Sequence, residues 1–348
     1  MKKNIILSLF HSLKQLYWDI KYGPKKIFAL YKDKQLRILE IFGYKLKWVR
    51  HLSKNEKMFY NILFDSELSE YDSKHYLDYL FEKNFGHTIN WENPQTFNEK
   101  LNWLKVYYHN PEITICADKY RSREFVSQRI GEGYLVKLFN VYDSPQEIDF
   151  NVLPNQFVLK TNWGSSQNII CKDKNSLDID FVTKQLHEWL QPHSNYYFRC
   201  LEWGYKNIPP KIICEEYLKE LEENPKVYKI FCFNGQPKVI QLVIDDKQPN
   251  ETINYYDASW NYLDFKQGFP NNPLPQKQPE KLSQMLELAA VLSKGFPFVR
   301  TDFFEIHNKL YYSEMTFYSD AGIDPFSPPE WDLKLGQFLT LPEKNSFN

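Results

Sequence analysis

Apolar positions recur at helical spacing in several windows of the chain. Thr96 and Glu99 have capping-box spacing, and Phe97, Leu101 and Leu104 follow on one face, which predicts a helix over 96–108. Residues 53–84 also read as helical, with Ser53 as the cap and Met58, Tyr60, Leu63 and Phe64 on one face. Further helices are predicted over 117–130, closed by Gly131 or Gly133, over 180–190, and over 281–294, ending at Gly295. Strand signals lie between them. Tyr134-Leu135-Val136 reads as a short strand, and Asp143-Ser144-Pro145 as a turn or helix start. Phe157-Val158-Leu159-Lys160 and Ile169-Ile170-Cys171 flank a polar loop with small residues, a hairpin pattern. After Pro209-Pro210, Lys211-Ile212-Ile213-Cys214 runs as a strand into Glu215-Glu216-Tyr217-Leu218. Strands over 228–233 and 237–244 meet at Asn234-Gly235, a hairpin-turn dipeptide, and a last hairpin spans 298–317. Antiparallel hairpins with flanking helices define an α+β class.

Residues 1–50 show no obvious strand alternation and read as a helical leader. The 348 residues are enough for about two domains. The expected organisation is a basic helical leader over 1–55, a helical lead-in over 56–115, two α+β subdomains over 116–206 and 207–340, and a tail over 341–348. Hydrophobic residues make up 43% and charged residues 25%, which excludes wholesale disorder, collagen and a polytopic membrane protein. The net charge of −1 argues against a nucleic-acid footprint over the whole protein. It hides an asymmetry. Residues 1–50 hold 12 Lys/Arg against 3 Asp/Glu, and the remainder holds 31 against 41, so a leader at +9 precedes a body at −10. An anionic membrane surface or a polyanionic glycan suits such a leader, as does a plain solvated helical face. Leu9, Leu13, Leu16 and Tyr17 recur near helical spacing among lysines, which fits a helix on a membrane surface or one packed on the body. His11 and Lys14 interrupt the apolar start, so neither a secretory signal nor a spanning helix of about 20 apolar residues is expected. The expected location is cytoplasmic, with peripheral contact at the inner face of the membrane through residues 1–50. Cys116, Cys171, Cys200, Cys214 and Cys232 are odd in number and lack Cys-x-x-Cys spacing, so buried thiols are expected rather than disulfides or a Cys-rich zinc site.

The last hairpin carries the sharpest chemistry. A turn centred on Asn308 places Asp302 opposite Glu314 and Arg300 opposite Thr316, where Arg300 can pair with a phosphate or simply with one carboxylate. Opposed residues share a face with Cβ atoms about 4.5–5.5 Å apart. Two carboxylates that close repel unless a cation neutralises them, and Mg²⁺ held by carboxylates plus phosphate oxygens is one solution. An exposed hairpin carrying unrelated acids is the plainer alternative. Lys160 ends its strand before Gly164, Ser165 and Ser166, a loop whose N–H groups can close over phosphates, though by itself a plain surface hairpin is the simpler reading. Asp118-Lys119 precedes Arg123 by one helical turn, and Asp118 suits a helix N-terminus. Neither Gly-x-x-x-x-Gly-Lys-Ser/Thr nor a post-strand Gly-x-Gly-x-x-Gly occurs. Asp178-Ile179-Asp180 matches a metal-binding Asp-x-Asp literally, but its place before a helix predicts capping. Asp245-Asp246 reads as a turn.

Taken in order, these stretches resemble the ATP-grasp superfamily, and more closely its TupA-like branch from polysaccharide gene clusters. The matching segments are Pro94-Gln95-Thr96-Phe97-Asn98-Glu99-Lys100, Ala117-Asp118-Lys119-Tyr120 with Arg123, and Leu153-Pro154 through Lys160. They continue with Glu215-Glu216-Tyr217-Leu218, Tyr228-Lys229 with Cys232-Phe233-Asn234-Gly235, Phe298-Val299-Arg300 with Asp302, and Glu314-Met315-Thr316-Phe317. The resemblance implies two α+β subdomains clasping ATP. It implies that Lys119 and Lys160 contact phosphates beneath the loop Gly164-Ser165-Ser166. Glu215, Glu216, Tyr217 and Leu218 line the adenine pocket, and Lys229 lies near the nucleotide. Asp302 and Glu314 hold Mg²⁺, and Arg300, with Lys160, acts on the transferring phosphoryl. Val227 stands where an acid is expected before Tyr228-Lys229, and Thr316 where many ATP-grasp enzymes carry Asn, as is usual in this branch.

The implied activity is an ATP- and Mg²⁺-dependent carboxylate–amine ligase working through an acyl phosphate. The implied partners are an amine and an anionic glycan or lipid-linked precursor of a surface polysaccharide (capsule, O-antigen or teichuronopeptide-like). A glycosyltransferase of polysaccharide assembly is the rival reading, with Asp178-Ile179-Asp180 as its handle. A non-catalytic assembly module is the third, opposed by the joint presence of Lys160, Asp302 and Glu314.

Overall fold

The computed structural model folds as two compact units, Met1–Ser66 and Glu67–Asn348. It describes the backbone of three strands between residues 28 and 49, and residues 68–344 apart from 224–225, with the side chains of 193, 222 and 223 also left out. In the first unit, β1 (Phe28–Asp33), β2 (Leu36–Ile41) and β3 (Tyr44–Val49) form an antiparallel meander. This corrects the expected all-helical leader. Tyr44-Lys45-Leu46-Lys47-Trp48 alternates apolar and basic positions, a period-2 signal the helical reading passed over. The amphipathic pattern over 9–17 and the cap and face assigned to Ser53, Met58, Tyr60, Leu63 and Phe64 lie outside the described residues.

The second unit opens with α1 (Glu70–Phe85), capped by Ser69, whose Oγ accepts from Asp72 N. Next, α2 (Phe97–Tyr107) starts at the expected capping box. The helix predicted over 117–130 is two. Between α3 (Pro111–Ala117) and α4 (Ser122–Ile130) the backbone breaks at Asp118, whose side chain accepts from Tyr120 N and Arg121 N. Gly131, at φ 96°, closes α4. Tyr134 sits in a 3-10 turn rather than a strand, and β4 (Leu138–Tyr142) follows. The expected hairpin forms from β5 (Phe157–Thr161) and β6 (Asn168–Cys171), then α5 (Ile179–Trp189) and β7 (Ile212–Glu216). The strands β8 (Val227–Phe233), β9 (Gln236–Ile244), β10 (Thr252–Asp257), β11 (Tyr262–Leu263) and β12 (Lys266–Gln267) precede α6 (Leu282–Ser293). The chain ends with β13 (Phe298–Ile306), β14 (Lys309–Thr316), β15 (Phe326–Ser327) and α7 (Glu330–Phe338).

Two antiparallel sheets carry the architecture. One has order β4-β7-β5-β6, the other β11-β10-β9-β8-β13-β14. β7 pairs with both β4 and β5, so the change of sheet comes after Glu216. In the four-stranded sheet, Phe157, Leu159, Ile212 and Cys214 face a core closed by Val182 and Leu186 of α5. The alternate positions, Val158, Lys160 and Glu215, face the other way. In the six-stranded sheet, α6 packs on β8, β9 and β13. On the opposite face Phe97 of α2 meets Phe231, Phe233 and Phe298. One glycine is needed for this packing: a Cβ on Gly336 of α7 would stand 2.1 Å from Gln95 O at the start of α2.

Candidate active site

The alternation that builds the two cores also builds the site. With one face of each sheet committed to apolar packing, the polar positions of β5, β7, β8, β13 and β14 line a cleft of about 380 Å³ between the sheets. Lys119, Lys160, Gly164, Ser165, Ser166, Glu215, Glu216, Tyr217, Leu218, Lys229, Asp302 and Glu314 all line it. These are all the predicted site residues except Arg300.

Asp302 pairs with Glu314 and Arg300 with Thr316, the expected partners, although the turn is not centred where expected. His307 and Asn308, at φ 48° and 60°, form a two-residue turn, and Phe303 opposes Tyr312. A bulge between Asp302 and Phe303 then restores the pairing of Asp302 with Glu314. Asp302 lies between Glu314 on one side and Lys229 of β8 on the other. Arg300 grips it with two parallel bonds, Nε to Oδ1 and Nη2 to Oδ2, both 2.8 Å. Arg300 Nη2 also donates to Thr316 Oγ1 at 3.1 Å and lies 3.5 Å from Glu314 Oε1. Its guanidinium, 7% exposed, thus takes the pairing with a carboxylate, the second of its two expected partners, and does not line the cleft.

Lys119 Nζ lies 3.0 Å from Glu314 Oε2 and donates to Gly164 O at 3.0 Å, so one ammonium joins the β14 carboxylate to the small-residue loop. Burial alone would raise the Glu314 carboxyl, but Lys119 and Arg300 hold it well below the usual carboxylate range. Burial pushes Asp302 upward against the pull of Arg300 and Lys229. Asn162 holds the Lys119 backbone in place. Its carbonyl accepts from Lys119 N, and its Nδ2 donates to Asp118 Oδ1, both at 3.0 Å. In the loop, a Cβ on Gly164 would overlap Gln167, whose amide oxygen accepts from Thr161 Oγ1.

Across the cleft, Glu215 accepts from Arg123 Nη1 at 2.9 Å and pairs with Lys160 Nζ at 2.5 Å. Glu215 is thereby engaged by two cations, and exposed Glu216 at the strand end is the freer of the two acids. Sequence reasoning gave Arg123 no role, and it read Asp246 as a turn residue only. Asp246, Lys247 and Gln248 also line the cleft, from a turn with Asp245 and Lys247 at positive φ. A turn signal says nothing about which way the loop points, so this residence had no sequence signal. Asp178 caps α5, accepting from Phe181 N at 2.9 Å, and neither it nor Asp180 lines the cleft. All five cysteines are free, four of them buried.

A family model described as TupA-like ATPgrasp matches residues 99–340. The chain belongs to the TupA-like ATP-grasp family. The fold is ATP-grasp, the family is one of ATP-grasp ligases, and its cofactors are ATP and Mg²⁺. Among solved structures, the D-alanine–D-alanine ligase from Bacillus anthracis complexed with ATP is 14% identical over 77% of this chain and 83% of that one, with a TM-score of 0.38. The D-alanine–D-alanine ligase from Helicobacter pylori is 14% identical over 66% and 60%, at 0.36. The ATP-grasp ligase PsnB, complexed with a phosphomimetic variant of its minimal precursor, Mg and ADP, is 9% identical over 63% and 57%, at 0.34. No curated protein matches the chain.

The donor set of this ATP-grasp cleft fits a magnesium ion. Arg300 uses one lone pair on each Asp302 oxygen and leaves a second on each, while Glu314 presents a carboxylate 29% exposed to the cleft. Hard carboxylate oxygens supplemented by phosphate oxygens are what Mg²⁺ takes. No cluster of three or more His, Cys, Asp or Glu in metal-binding reach occurs among the described residues. Nor is any helix among them long and apolar enough to cross a membrane.

Proposed function

We propose that the protein is an ATP- and Mg²⁺-dependent carboxylate–amine ligase that modifies a precursor of a surface polysaccharide (capsule, O-antigen or teichuronopeptide-like). The observation that carries this reading is the convergence of Lys119 and Lys229 on Asp302 and Glu314, with Lys160 on Glu215 across the same cleft, which the Gly164–Gln167 loop also lines. Phosphoryl transfer asks mainly for positioning and charge neutralisation, and these side chains supply both. Glu216, Tyr217 and Leu218 bind the adenine edge. Lys119 exchanges Glu314 for phosphate oxygens, and Lys160 adds a second positive charge. Asp302 and Glu314 hold Mg²⁺, which neutralises phosphate charge when bound. Arg300 acts from behind, fixing Asp302, and is a positioning residue.

A substrate carboxylate oxygen attacks the γ-phosphorus and ADP leaves. The amine then attacks the carbonyl carbon of the acyl phosphate, and inorganic phosphate leaves with the C–O bonding pair while the amine proton passes to solvent. The loop over the cleft keeps water from the acyl phosphate. The carboxylate is a uronic-acid or peptide carboxylate. The resemblance to a branch of polysaccharide gene clusters and the basic leader support this choice, and the leader places the enzyme at the inner face of the membrane.

Thermal shift with Mg·ATP and with Mg·UDP-sugars tests the reading. Mg·ATP should raise the Tm of the wild type and not that of Asp302→Ala/Glu314→Ala. Stabilisation by a UDP-sugar but not by ATP would sink the ligase and promote a glycosyltransferase.

A further inference from the structure

Helix α2 breaks its own pattern. Its buried face carries Asn98, Asn102 and Lys105, at 0%, 0% and 3% exposure, where an amphipathic helix places apolar side chains. Their partners lie more than two hundred residues away. Asn102 Nδ2 donates to Gly322 O and Lys105 Nζ to Ala321 O, each at 2.6 Å. Lys105 Nζ also donates to Asn102 Oδ1 at 3.0 Å, which joins the two donors into one network. Asn98 Nδ2 reaches Asp324 O at 3.3 Å, and Asn84 Nδ2 of α1 donates to Ile323 O at 2.9 Å. Four successive carbonyls, 321–324, are thus held from behind by side-chain donors.

The segment they hold is strained. Asp320, Ala321 and Gly322 take φ values of 47°, 52° and 60° in succession, and two of the three are not glycine. Gly322 packs so closely on α2 that a Cβ would meet Asn102 Nδ2 and Leu101 Cβ at 3.0 Å. Such a run of left-handed residues persists only where its surroundings over-determine it. Its N-terminal neighbour is Ser319, 1% exposed, whose Oγ accepts from Arg300 Nη1 at 3.4 Å and donates to Asp320 Oδ2 at 3.0 Å. Arg300 in turn grips Asp302 and reaches Glu314.

We propose that Asn102 and Lys105 are positioning residues for the metal-side carboxylates, acting through the loop at 319–322, Ser319 and Arg300 on Asp302 and Glu314. The proposal rests on the reading that those two carboxylates hold Mg²⁺. Partners behind metal-binding groups typically change metal affinity by about 10–100-fold when removed. Asn102→Leu, and Lys105→Met combined with Glu202→Gln, which neutralises the buried carboxylate whose charge interacts with Lys105, should therefore raise the Mg²⁺ concentration for half-maximal ATP-induced thermal stabilisation about tenfold. Binding of ADP in EDTA should stay unchanged, since the adenine wall is untouched. Ser319→Ala removes one hydroxyl, is the variant least exposed to folding failure, and should give a shift of about threefold. Unchanged Mg²⁺ dependence in folded Ser319→Ala, with Asp302→Ala/Glu314→Ala losing that dependence, would overturn the proposal and leave the metal reading standing. Unchanged Mg²⁺ dependence in Asp302→Ala/Glu314→Ala itself would overturn both.

Discussion

Glu314, partly exposed in the cleft, and the buried Glu202 titrate in opposite directions. Burial raises both, but Lys119 and Arg300 overcome it at Glu314 and pull that carboxyl well below its ordinary 4.5. At Glu202 burial wins over Lys105 and the carboxyl rises to about 7. The two therefore contribute to stability with opposite sign. The unfolded chain takes up a proton at Glu314 below pH about 4.5 while the native state resists it, so stability is lost as pH falls through that region. Between about 4.5 and 7 the native state holds a proton at Glu202 that the unfolded chain has released, so stability falls as pH rises. Urea melts across pH 3–8 separate the two: Glu314→Gln should flatten the acid limb, and Glu202→Gln should flatten the slope between 4.5 and 7. Unaltered slopes would contradict this charge assignment. Neither effect is legible in sequence, because Lys105 and Glu202 are ninety-seven positions apart and only packing brings their charges together.

At the scale of elements, local signals were most informative where local chemistry decides. Thr96 and Glu99 form the expected capping box, and Glu99 does more than cap. Its carboxylate accepts from Asn90 N at 3.0 Å, Gln95 N at 2.9 Å and Thr96 N at 3.1 Å, tying the incoming chain to α2. Thr96→Ala should lower the stability by about 1 kcal/mol. Glu99→Ala should lower it by about 2–3 kcal/mol, since three backbone N–H groups lose their acceptor. Thermal or urea melts check the ranking, and equal losses would refute the wider role of Glu99. The helix predicted over 117–130 divided because Asp118 satisfies two backbone N–H groups and Asn162, a partner from β5's loop that no helical periodicity announces. The last hairpin gave the right opposed carboxylates from a turn one half-residue off centre, because the bulge added the residue the tighter turn left out.

For the whole molecule, the charge asymmetry belongs with the division of the chain into Met1–Ser66 and Glu67–Asn348. A leader at +9 is attracted to an anionic surface, and this attraction weakens with salt. Deleting residues 1–50 should move the protein from the membrane to the soluble fraction at low salt, and unchanged fractionation would count against a membrane role for the leader. Sequence alone determined the α+β class, most of the elements between 96 and 317, and every predicted residue that lines the cleft, because capping, period-2 alternation and ordered motifs are written in neighbouring positions. It did not determine which sheet β7 joins, that Arg300 stands behind Asp302, that Lys119 spans from Glu314 to Gly164, or that α2 holds the loop after β14. Those are long-range pairings. They follow from which apolar faces must be buried together, and only the tertiary structure settles where the polar positions on the opposite faces then meet.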